Sequence, residues 1–406
     1  MDLGISTIIL WVGIAITLVM LTKTALRNSV VPAVVGFILI GFVFRLIDTQ
    51  WSVFSERNDW LFRVLAEFGI FSLLFRIGLE SNIKGLLSQL KNGSVIWAFG
   101  VLTSGVMGFV TAFYALNIEL IPSLFIATAM TATSVGVPIG VWKSKNAMQS
   151  QNGELLLDVA EMDDISGVML MTLLFAITPV LHQNSQVALL PLIGKELGVI
   201  LIKFTLFAGA CALFSLYIEE HITRFFDQKL SKPHPMLVMV GIGFTIAATA
   251  GLLGFSIAIG AFFAGLAFSR DPQKVKMDHT FKTLYELFTP FFFLGIGFNI
   301  APESLQGAVG LGAVLFAVAV IGKLLGHGVP ASWRGGWKLF LLFGVSLLPR
   351  AEITMIIMER GKNFGHWAVT PRSFTAMVFV SLATCIVAPI VMQALLQKWP
   401  QTEGES

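Results

Sequence analysis

Charged residues are scarce in this sequence, and their scarcity excludes most soluble folds. They make up 13% of the 406 residues, whereas a soluble globular domain has about 25%. So small a charged fraction cannot cover a water-facing surface of this length, and 55% of the residues are hydrophobic. We therefore expect lipid to be the main solvent of the chain. The net charge of +3 and the absence of a basic stripe argue against a nucleic-acid-binding protein.

Cysteines and nucleotide-binding motifs are also scarce or missing. The two cysteines, Cys211 and Cys385, both lie in apolar segments, so they predict neither a disulfide framework nor a zinc site. The sequence contains neither a Walker A lysine loop nor a Rossmann glycine fingerprint. We therefore expect no cofactor, no enzymatic activity and no ATP-driven pumping by this chain.

Long apolar runs make up most of the sequence, and their lengths predict an all-α membrane protein. A helix needs about 20 mostly apolar residues to cross the hydrocarbon core. The predicted spans, one to thirteen in chain order, are residues 4–22, 30–48, 61–79, 93–116, 119–141, 154–181, 193–217, 234–251, 253–270, 280–298, 304–329, 336–359 and 372–397. The joint between spans eight and nine is the weakest, because it is short and apolar. Without a turn there, the count would fall to twelve.

The lysines and arginines between the spans predict the orientation of the chain. If the loop after span one is cytoplasmic, sixteen basic residues lie on that side and four on the other. Because cytoplasmic loops are enriched in Lys and Arg, this bias places the N-terminus outside and the C-terminus inside. Merging spans eight and nine would move the basic 270–282 loop to the outside. We expect one transmembrane domain, residues 1–399, and a short cytoplasmic tail, residues 400–406, in the inner membrane of a bacterium.

Two adjacent aspartates lie near the middle of span six. Asp163 and Asp164 are about ten residues from its cytoplasmic end near Gly153, which corresponds to roughly 15 Å at 1.5 Å per residue. Ionisable side chains at that depth are costly and usually functional. Two neighbouring carboxylates there need a proton, a cation or a basic partner to balance their charge. A structural ion pair with another helix is the alternative, although one such pair would need only one acid.

The two aspartates should have different surroundings, because neighbouring residues of a helix point about 100° apart. One can face a basic side chain while the other faces a water-filled cavity. Lys323 in span eleven is the basic candidate, since it lies roughly 10 Å inside the predicted helix. The alternative for Lys323 is a side chain that extends to the cytoplasmic surface. Asp158 and Glu161, nearer the cytoplasm, either line a route to the site or are simply solvated.

Spans five and twelve are interrupted near their centres by residues that break helices. Span five contains hydroxyls, glycine and proline between Thr131 and Pro138, including Thr133 and Ser134, and span twelve contains Pro349. Backbone groups freed at such breaks must be satisfied by protein or by a wet cavity. Their carbonyls, together with nearby hydroxyls, are suitable ligands for a monovalent cation. A simple proline kink is the alternative for each span.

The spacing of the interrupted spans indicates an inverted repeat. They are seven spans apart, so they cross the membrane in opposite directions, and span six would correspond to span thirteen. Broken helices that meet near the midplane are typical of secondary transporters. Arg350 and Glu352, at the second interruption, can balance the dipoles of the half-helix ends.

Seven short motifs follow one another along the chain, each weak alone but specific in order and spacing. They are Pro32–Phe37, Phe75–Glu80, Thr131–Gly136, Asp163–Asp164, Pro290–Phe293, Gly322–Lys323 and Pro349–Glu352. In this arrangement the sequence resembles the monovalent cation:proton antiporter-2 family over essentially its whole length. The resemblance implies a homodimer, in which one bundle forms the dimer interface and a six-helix core with two crossing broken helices carries the ion.

The resemblance also assigns roles to individual residues. It implies that Asp164 is the principal ion and proton carrier and that Asp163 pairs with Lys323. The implied ligands of the monovalent cation are Asp164, Asp163 and Thr133, with Ser134 beside them. Thr131, Arg350 and Glu352 are implied to stabilise the broken helices, the last two at the second one.

Two positions depart from the family pattern. Arg76 stands where the motif is usually apolar, and Ala351 stands where glycine is common. Arg76 could alter the electrostatics of the core. It is also spaced for an intrahelical ion pair with Glu80, four residues later.

These features together predict a secondary active transporter that exchanges protons for a monovalent cation by alternating access at the aspartate pair. We place sodium first and potassium second as the cation. A sodium-coupled symporter of an organic anion is the alternative on a related fold, although buried acids disfavour an anion site. An intramembrane aspartyl protease would need two aspartates that face each other, which neighbours diverging by about 100° are poorly placed to do.

Overall fold

The computed structural model of the chain describes residues 3–52, 56–80, 83–183, 189–222, 225, 234–269 and 279–401. Every regular element in these ranges is a helix, which is how a chain in lipid pairs its own backbone groups. The α-helices are α1 (Leu3–Ala25), α2 (Ala33–Trp51), α3 (Glu56–Glu80), α4 (Ile83–Val110), α5 (Leu120–Thr131), α6 (Gly136–Ser144), α7 (Gln151–Gln183), α8 (Leu189–Leu213), α9 (His234–Leu252), α10 (Ile257–Ala267), α11 (His279–Phe298), α12 (Leu305–Lys323), α13 (Val329–Ser346), α14 (Glu352–Phe364) and α15 (Pro371–Lys398). Seven of the described helical stretches are long and apolar enough to cross a membrane.

The joint between spans eight and nine is a turn, as the sequence predicted. Helix α9 ends at Leu252, and Gly254 adopts a φ of +90°, a conformation that favours glycine. The hydroxyl of Ser256 then accepts a hydrogen bond from the Ala258 N–H at 3.2 Å and caps α10. A left-handed glycine followed by a serine cap separates the two helices despite the apolar residues between them.

The chain divides into two compact units. The first comprises Met1–Leu61, Gly85–Gly167 and Phe293–Ser406, and the second comprises Phe62–Lys84 and Val168–Phe292. The buried aspartate, lysine and arginine that the sequence analysis selected all belong to the first unit.

In the second unit, glycines bring α3 directly against α10. A Cβ on Gly78 would overlap the carbonyl oxygen of Phe262, and a Cβ on Gly265 would overlap that of Phe75. Small residues at such positions let helix backbones approach closely in a membrane. The contact therefore depends on the missing side chains of these two glycines.

Arg76 also belongs to the second unit, and its charge is balanced locally. Its Nε lies 2.8 Å from Oε1 of Glu80, the residue four positions later. Its guanidinium carbon lies 4.5 Å from the centre of the Tyr285 ring, within the range of a cation–π contact. The ion pair predicted from the spacing is therefore present.

In the first unit, the two interrupted spans are broken helices that meet. The first break, residues 132–135, separates α5 from α6, and the second break, residues 347–351, separates α13 from α14. The backbone N–H of Ser134 donates to the carbonyl of Pro349 at 2.8 Å. This hydrogen bond joins the two breaks and satisfies one backbone group from each.

The helix that leads to the second break departs from regular geometry twice. Residues Leu324–Gly328 form a π-helical turn between α12 and α13, and Gly335 and Gly336 within α13 are non-helical, with a φ of +65° at Gly336. The helix that begins at Leu305 therefore continues through the π-helical turn to the glycine pair, past residue 329, where span eleven was predicted to end. The chain changes direction at the glycine pair, where a positive φ is cheapest.

Candidate functional site

The carboxylate of Asp163 is the centre of a buried polar cluster. Asp163 is 1% exposed, and three groups contact its Oδ2 atom. They are Oγ1 of Thr133 at 2.5 Å, Nζ of Lys323 at 3.0 Å and Nε2 of His327 at 3.2 Å. Among the described residues, Oδ1 of Asp163 has no hydrogen-bond partner. One oxygen is thus heavily bound, and the other keeps its capacity to accept.

Lys323 is fully buried and does not extend to the surface of the protein. Its Nζ donates to the carbonyl of Thr131 at 3.0 Å, to the hydroxyl of Thr133 at 2.7 Å and to Asp163. An ammonium group has three N–H donors, and all three have partners here. The sequence-based alternative of a surface lysine does not describe this side chain.

Asp164 differs from its neighbour in exposure, as the helix geometry predicted. It is half-buried and lies within electrostatic reach of Lys323. The same turn of α7 is held by Trp97, whose indole N–H donates to Ser166 at 3.0 Å, while the Ser166 hydroxyl donates to the Asp163 carbonyl at 3.0 Å. These bonds fix the backbone from which both carboxylates project.

The first break supplies hydroxyl groups next to Asp163. The Thr133 hydroxyl donates to Asp163, accepts from Lys323, and lies 3.3 Å from the carbonyl of Leu347 in the second break. The Ser134 side chain is also buried, and its Oγ has no hydrogen-bond partner among the described residues. Both residues therefore lie at the crossing of the breaks, where the sequence analysis expected them.

Arg350 stabilises a different helix from the one expected. The sequence analysis assigned it to the second broken helix, and it lies in the break of that helix. Its buried guanidinium instead donates from Nη1 to the carbonyls of Met130 and Ala132, the latter at 3.0 Å, at the end of α5. The prediction missed this because a long side chain at one break can reach carbonyls freed at the other.

Two further residues named for the breaks have local roles. The Thr131 hydroxyl donates to the carbonyl of Thr128 at 2.8 Å within α5, while its own carbonyl accepts from Lys323. Glu352 lies in the first turn of α14, where a carboxylate complements the positive end of the helix dipole.

Of the three groups that contact Oδ2 of Asp163, His327 is the one that the sequence analysis did not name. It lies in the π-helical turn after α12 and is fully buried. A signal was present, since a histidine stands inside an apolar span four residues after Lys323 and between two glycines. Residues four apart share a helix face, so the basic candidate Lys323 pointed to His327 as well.

The arrangement can exchange one positive species for another. When all are ionised, Asp163, Asp164, Lys323 and Arg350 carry two negative and two positive charges. An additional cation would leave an uncompensated charge in a buried site, which is costly, unless a proton departs. Carboxylate, hydroxyl and carbonyl oxygens are ligands that suit a hard monovalent cation.

Comparisons with known proteins agree with this chemistry. The family described as "Sodium/hydrogen exchanger, transmembrane" matches residues 12–398. The high-affinity Na(+)/H(+) antiporter NhaS3 of Synechocystis sp. is 24% identical, over 86% of this chain and 74% of its own length. The Na(+)/H(+) antiporter of Enterococcus hirae is 25% identical over 92% of this chain and 94% of its own, and the Na(+)/H(+)-K(+) antiporter GerN of Bacillus cereus is 26% identical over 89% of both.

A solved structure supports the fold. The sodium proton antiporter MjNhaP1 from Methanocaldococcus jannaschii at pH 8 matches with a TM-score of 0.66, over 97% of each chain and at 14% identity. At this identity the match concerns the fold alone. The family match over most of the chain confirms the resemblance found in the motifs, and the chain belongs to the sodium/hydrogen exchanger family of transmembrane proteins.

Proposed function

We propose that protons and a monovalent cation exchange at Asp163 and Asp164, with Asp164 as the principal carrier. One observation supports this above all others: the buried Asp163 carboxylate contacts an ammonium and an imidazole through a single oxygen. A carboxylate held in this way needs positive charge nearby in every state of a transport cycle. Asp164, half-buried and adjacent, is the acid better placed to meet an ion arriving from water.

The family membership defines the class of transport. The chain is a monovalent cation:proton antiporter, since the family model and the similar proteins named above all describe sodium/hydrogen exchange. The symporter alternative has no support among these relatives. We infer sodium as the principal cation and potassium as the second candidate, because GerN is named as an antiporter of both.

Charge balance couples the two fluxes. A cation that binds to Asp164 and to the accepting oxygen of Asp163 repels the ammonium of Lys323, so a proton leaves the cluster as the cation enters. A proton that returns restores the ion pair between Lys323 and Asp163 and displaces the cation. Exchange follows if the ion-carrying core reorients only when one of the two species is bound.

Oxygens at and beside the first break provide the remaining ligands in this proposal. Oδ1 of Asp163 and Oγ of Ser134 are buried oxygens without partners among the described residues. A bound cation would satisfy such atoms, which otherwise cost free energy. Thr133 contributes its hydroxyl, since it already connects Asp163 with Lys323.

We also propose the membrane arrangement that the family resemblance implies. The chain crosses the membrane thirteen times with its N-terminus outside and its C-terminus inside, and it forms a homodimer in a bacterial inner membrane. Residues 1–399 form one transporter domain with a dimer bundle and a six-helix core. Cysteine labelling of loop residues from each side of inverted and right-side-out vesicles would test the orientation, and cross-linking in the membrane would test the dimer.

The decisive experiment measures cation-driven proton flux in proteoliposomes with an internal pH-sensitive dye. Sodium, potassium and lithium are compared for the wild type, Asp164→Asn and the control Glu154→Gln, which removes an exposed carboxylate from the first turn of the same helix. We expect exchange to vanish in Asp164→Asn and to persist in Glu154→Gln. Robust sodium- or potassium-dependent flux in Asp164→Asn would remove Asp164 from the proposed role.

A further inference from the structure

His327 occupies a position that brings it to the same carboxylate oxygen as Lys323. It lies four residues after Lys323, and its Nε2 is 3.2 Å from Oδ2 of Asp163. The imidazole is completely buried. His327 lies in a π-helical turn, and such turns are frequent at functional sites.

The surrounding glycines shape a place for this ring. A Cβ on Gly100 of α4 would overlap Cε1 and Nε2 of the imidazole. A Cβ on Gly326 would lie 2.9 Å from the Cα of Gly100. The two helices therefore approach closely through glycine, and the ring lies directly on the backbone of α4. This packing fixes the position of Nε2 relative to Asp163.

The contact between His327 and Asp163 is the least regular of the three at Oδ2. Within the described part of the chain, neither ring nitrogen makes a well-aligned hydrogen bond, whereas Thr133 and Lys323 both do. The charged groups that face the ring are Lys323 from its own helix, Asp163 from α7 and Arg350 from the second break. From α4, the ring meets the uncharged Gly100. The imidazole therefore lies beside Oδ2 of Asp163 without a well-aligned hydrogen bond to it, while Lys323 is the main cationic partner of that oxygen.

We propose that His327 is a positioning residue: it donates a hydrogen bond to Oδ2 of Asp163 when the bound cation repels Lys323 from that oxygen. This inference rests on the proposed exchange at the aspartate pair. A neutral imidazole retains one N–H donor, so it can take over Oδ2 without adding charge. The carboxylate of Asp163 then keeps its orientation throughout the cycle. Oδ1 continues to face the cation, and Oδ2 always has a hydrogen-bond donor.

A matched pair of variants tests whether the site needs a hydrogen-bond donor at the position of Nε2 or whether any polar side chain at residue 327 is sufficient. The amide nitrogen of His327→Gln can reach the position of Nε2, whereas that of His327→Asn is one carbon shorter and cannot. Sodium-dependent proton flux in proteoliposomes gives the apparent KM and the maximal rate for each variant from pH 6 to pH 9. Because a hydrogen bond to a charged group contributes about 1.5–3 kcal/mol, we expect the KM to rise about tenfold or more in His327→Asn. In His327→Gln it should stay within about threefold of the wild type, a shift of under 1 kcal/mol.

The dependence on Lys323 is the second measurement. If His327 replaces Lys323 at Oδ2, the Asn substitution should raise the KM less in a Lys323→Ala background than in the wild type, because without Lys323 the imidazole binds Oδ2 both before and after the cation arrives. Equal KM values for the Gln and Asn variants, or the same effect in both backgrounds, would overturn the proposal. If His327→Asn does not fold, His327→Gln decides by its pH profile. A KM that follows the wild-type pH dependence supports a neutral donor, and a lost pH dependence refutes it.

The outcome is separable from that of the proposed function. Flux that survives in Asp164→Asn removes the aspartate site itself. Indistinguishable Gln and Asn variants at position 327, with Asp164→Asn inactive, remove only the role of His327.

Discussion

At the first break, the carbonyls of Met130, Thr131 and Ala132 accept hydrogen bonds from the side chains of Arg350 and Lys323. Both donors are long, buried and basic. Their contacts can change whenever the charge of the cluster changes. The first break is therefore bound by charged groups, which in the proposed cycle also respond to protons and cations.

At the second break, small neutral side chains of α15 satisfy the backbone. The Arg350 N–H donates to the hydroxyl of Thr384 at 3.2 Å, and the Arg350 carbonyl accepts from Ser381 at 2.6 Å and from Cys385 at 3.4 Å. None of these three side chains carries charge in its usual state. The two interruptions are similar in sequence but differ in how their backbone groups are satisfied. Charged side chains bind the first break, which lies beside Asp163, whereas neutral side chains bind the second.

Removing the charge that binds the first break should have the largest effect. Arg350→Met leaves the carbonyls of Met130 and Ala132 without their donor and removes one of the two positive charges that balance Asp163 and Asp164. Unsatisfied buried acceptors cost about 1–3 kcal/mol each, so we expect roughly 3 kcal/mol of lost stability and no exchange. Thermal unfolding of the purified protein and flux in proteoliposomes measure the two effects.

The control for this variant is Arg372→Met. Arg372 is exposed and likewise donates to a helix carbonyl, that of Gly307, at 3.0 Å. We expect little change in either measurement, because an exposed carbonyl regains its hydrogen bond from solvent. Equal stability of the two variants would show that the first break does not depend on a buried cation.

A pair of isosteric substitutions should separate transport from stability at the two breaks. Thr133→Val removes the hydroxyl between Asp163 and Lys323, and we expect an apparent KM for sodium raised about tenfold, in line with a lost hydrogen bond to a charged group. Thr384→Val removes a hydroxyl that binds uncharged backbone groups, the Arg350 N–H and the Ser381 carbonyl. It should lower the unfolding temperature and leave the KM unchanged. A raised KM in both variants would contradict the division between the breaks.

Much of the fold follows from local features of the sequence. The apolar runs determine where helices lie, and the glycine and serine around Gly254 and Ser256 end and restart a helix between spans eight and nine. The breaks were visible because the hydroxyls, glycine and proline between Thr131 and Pro138, and Pro349 in the second span, disfavour one continuous helix through the middle of an apolar run. Such signals act over a few residues, and one sequence is enough to read them.

The contacts between helices were less accessible. Which carbonyls Arg350 would reach, and whether His327 would face Asp163 or lipid, depends on how each helix is rotated about its axis. Neither the π-helical turn at Leu324–Gly328 nor the closeness of Gly100 to the imidazole has a marker in local sequence. Polarity inside an apolar span indicated Lys323, while the same reasoning applied to His327 would have added it to the site.

The smallest effect should come from the second break. Ser381→Ala removes the shorter hydrogen bond to the Arg350 carbonyl, but Cys385 remains as a second donor to the same oxygen. We therefore expect a loss of less than about 1 kcal/mol and unchanged exchange. The double variant Ser381→Ala, Cys385→Ala leaves that carbonyl without either donor and should lose more than the sum of the single variants, since the two donors substitute for each other. Thermal unfolding measures both, and additive losses would show that the two donors act independently at this carbonyl.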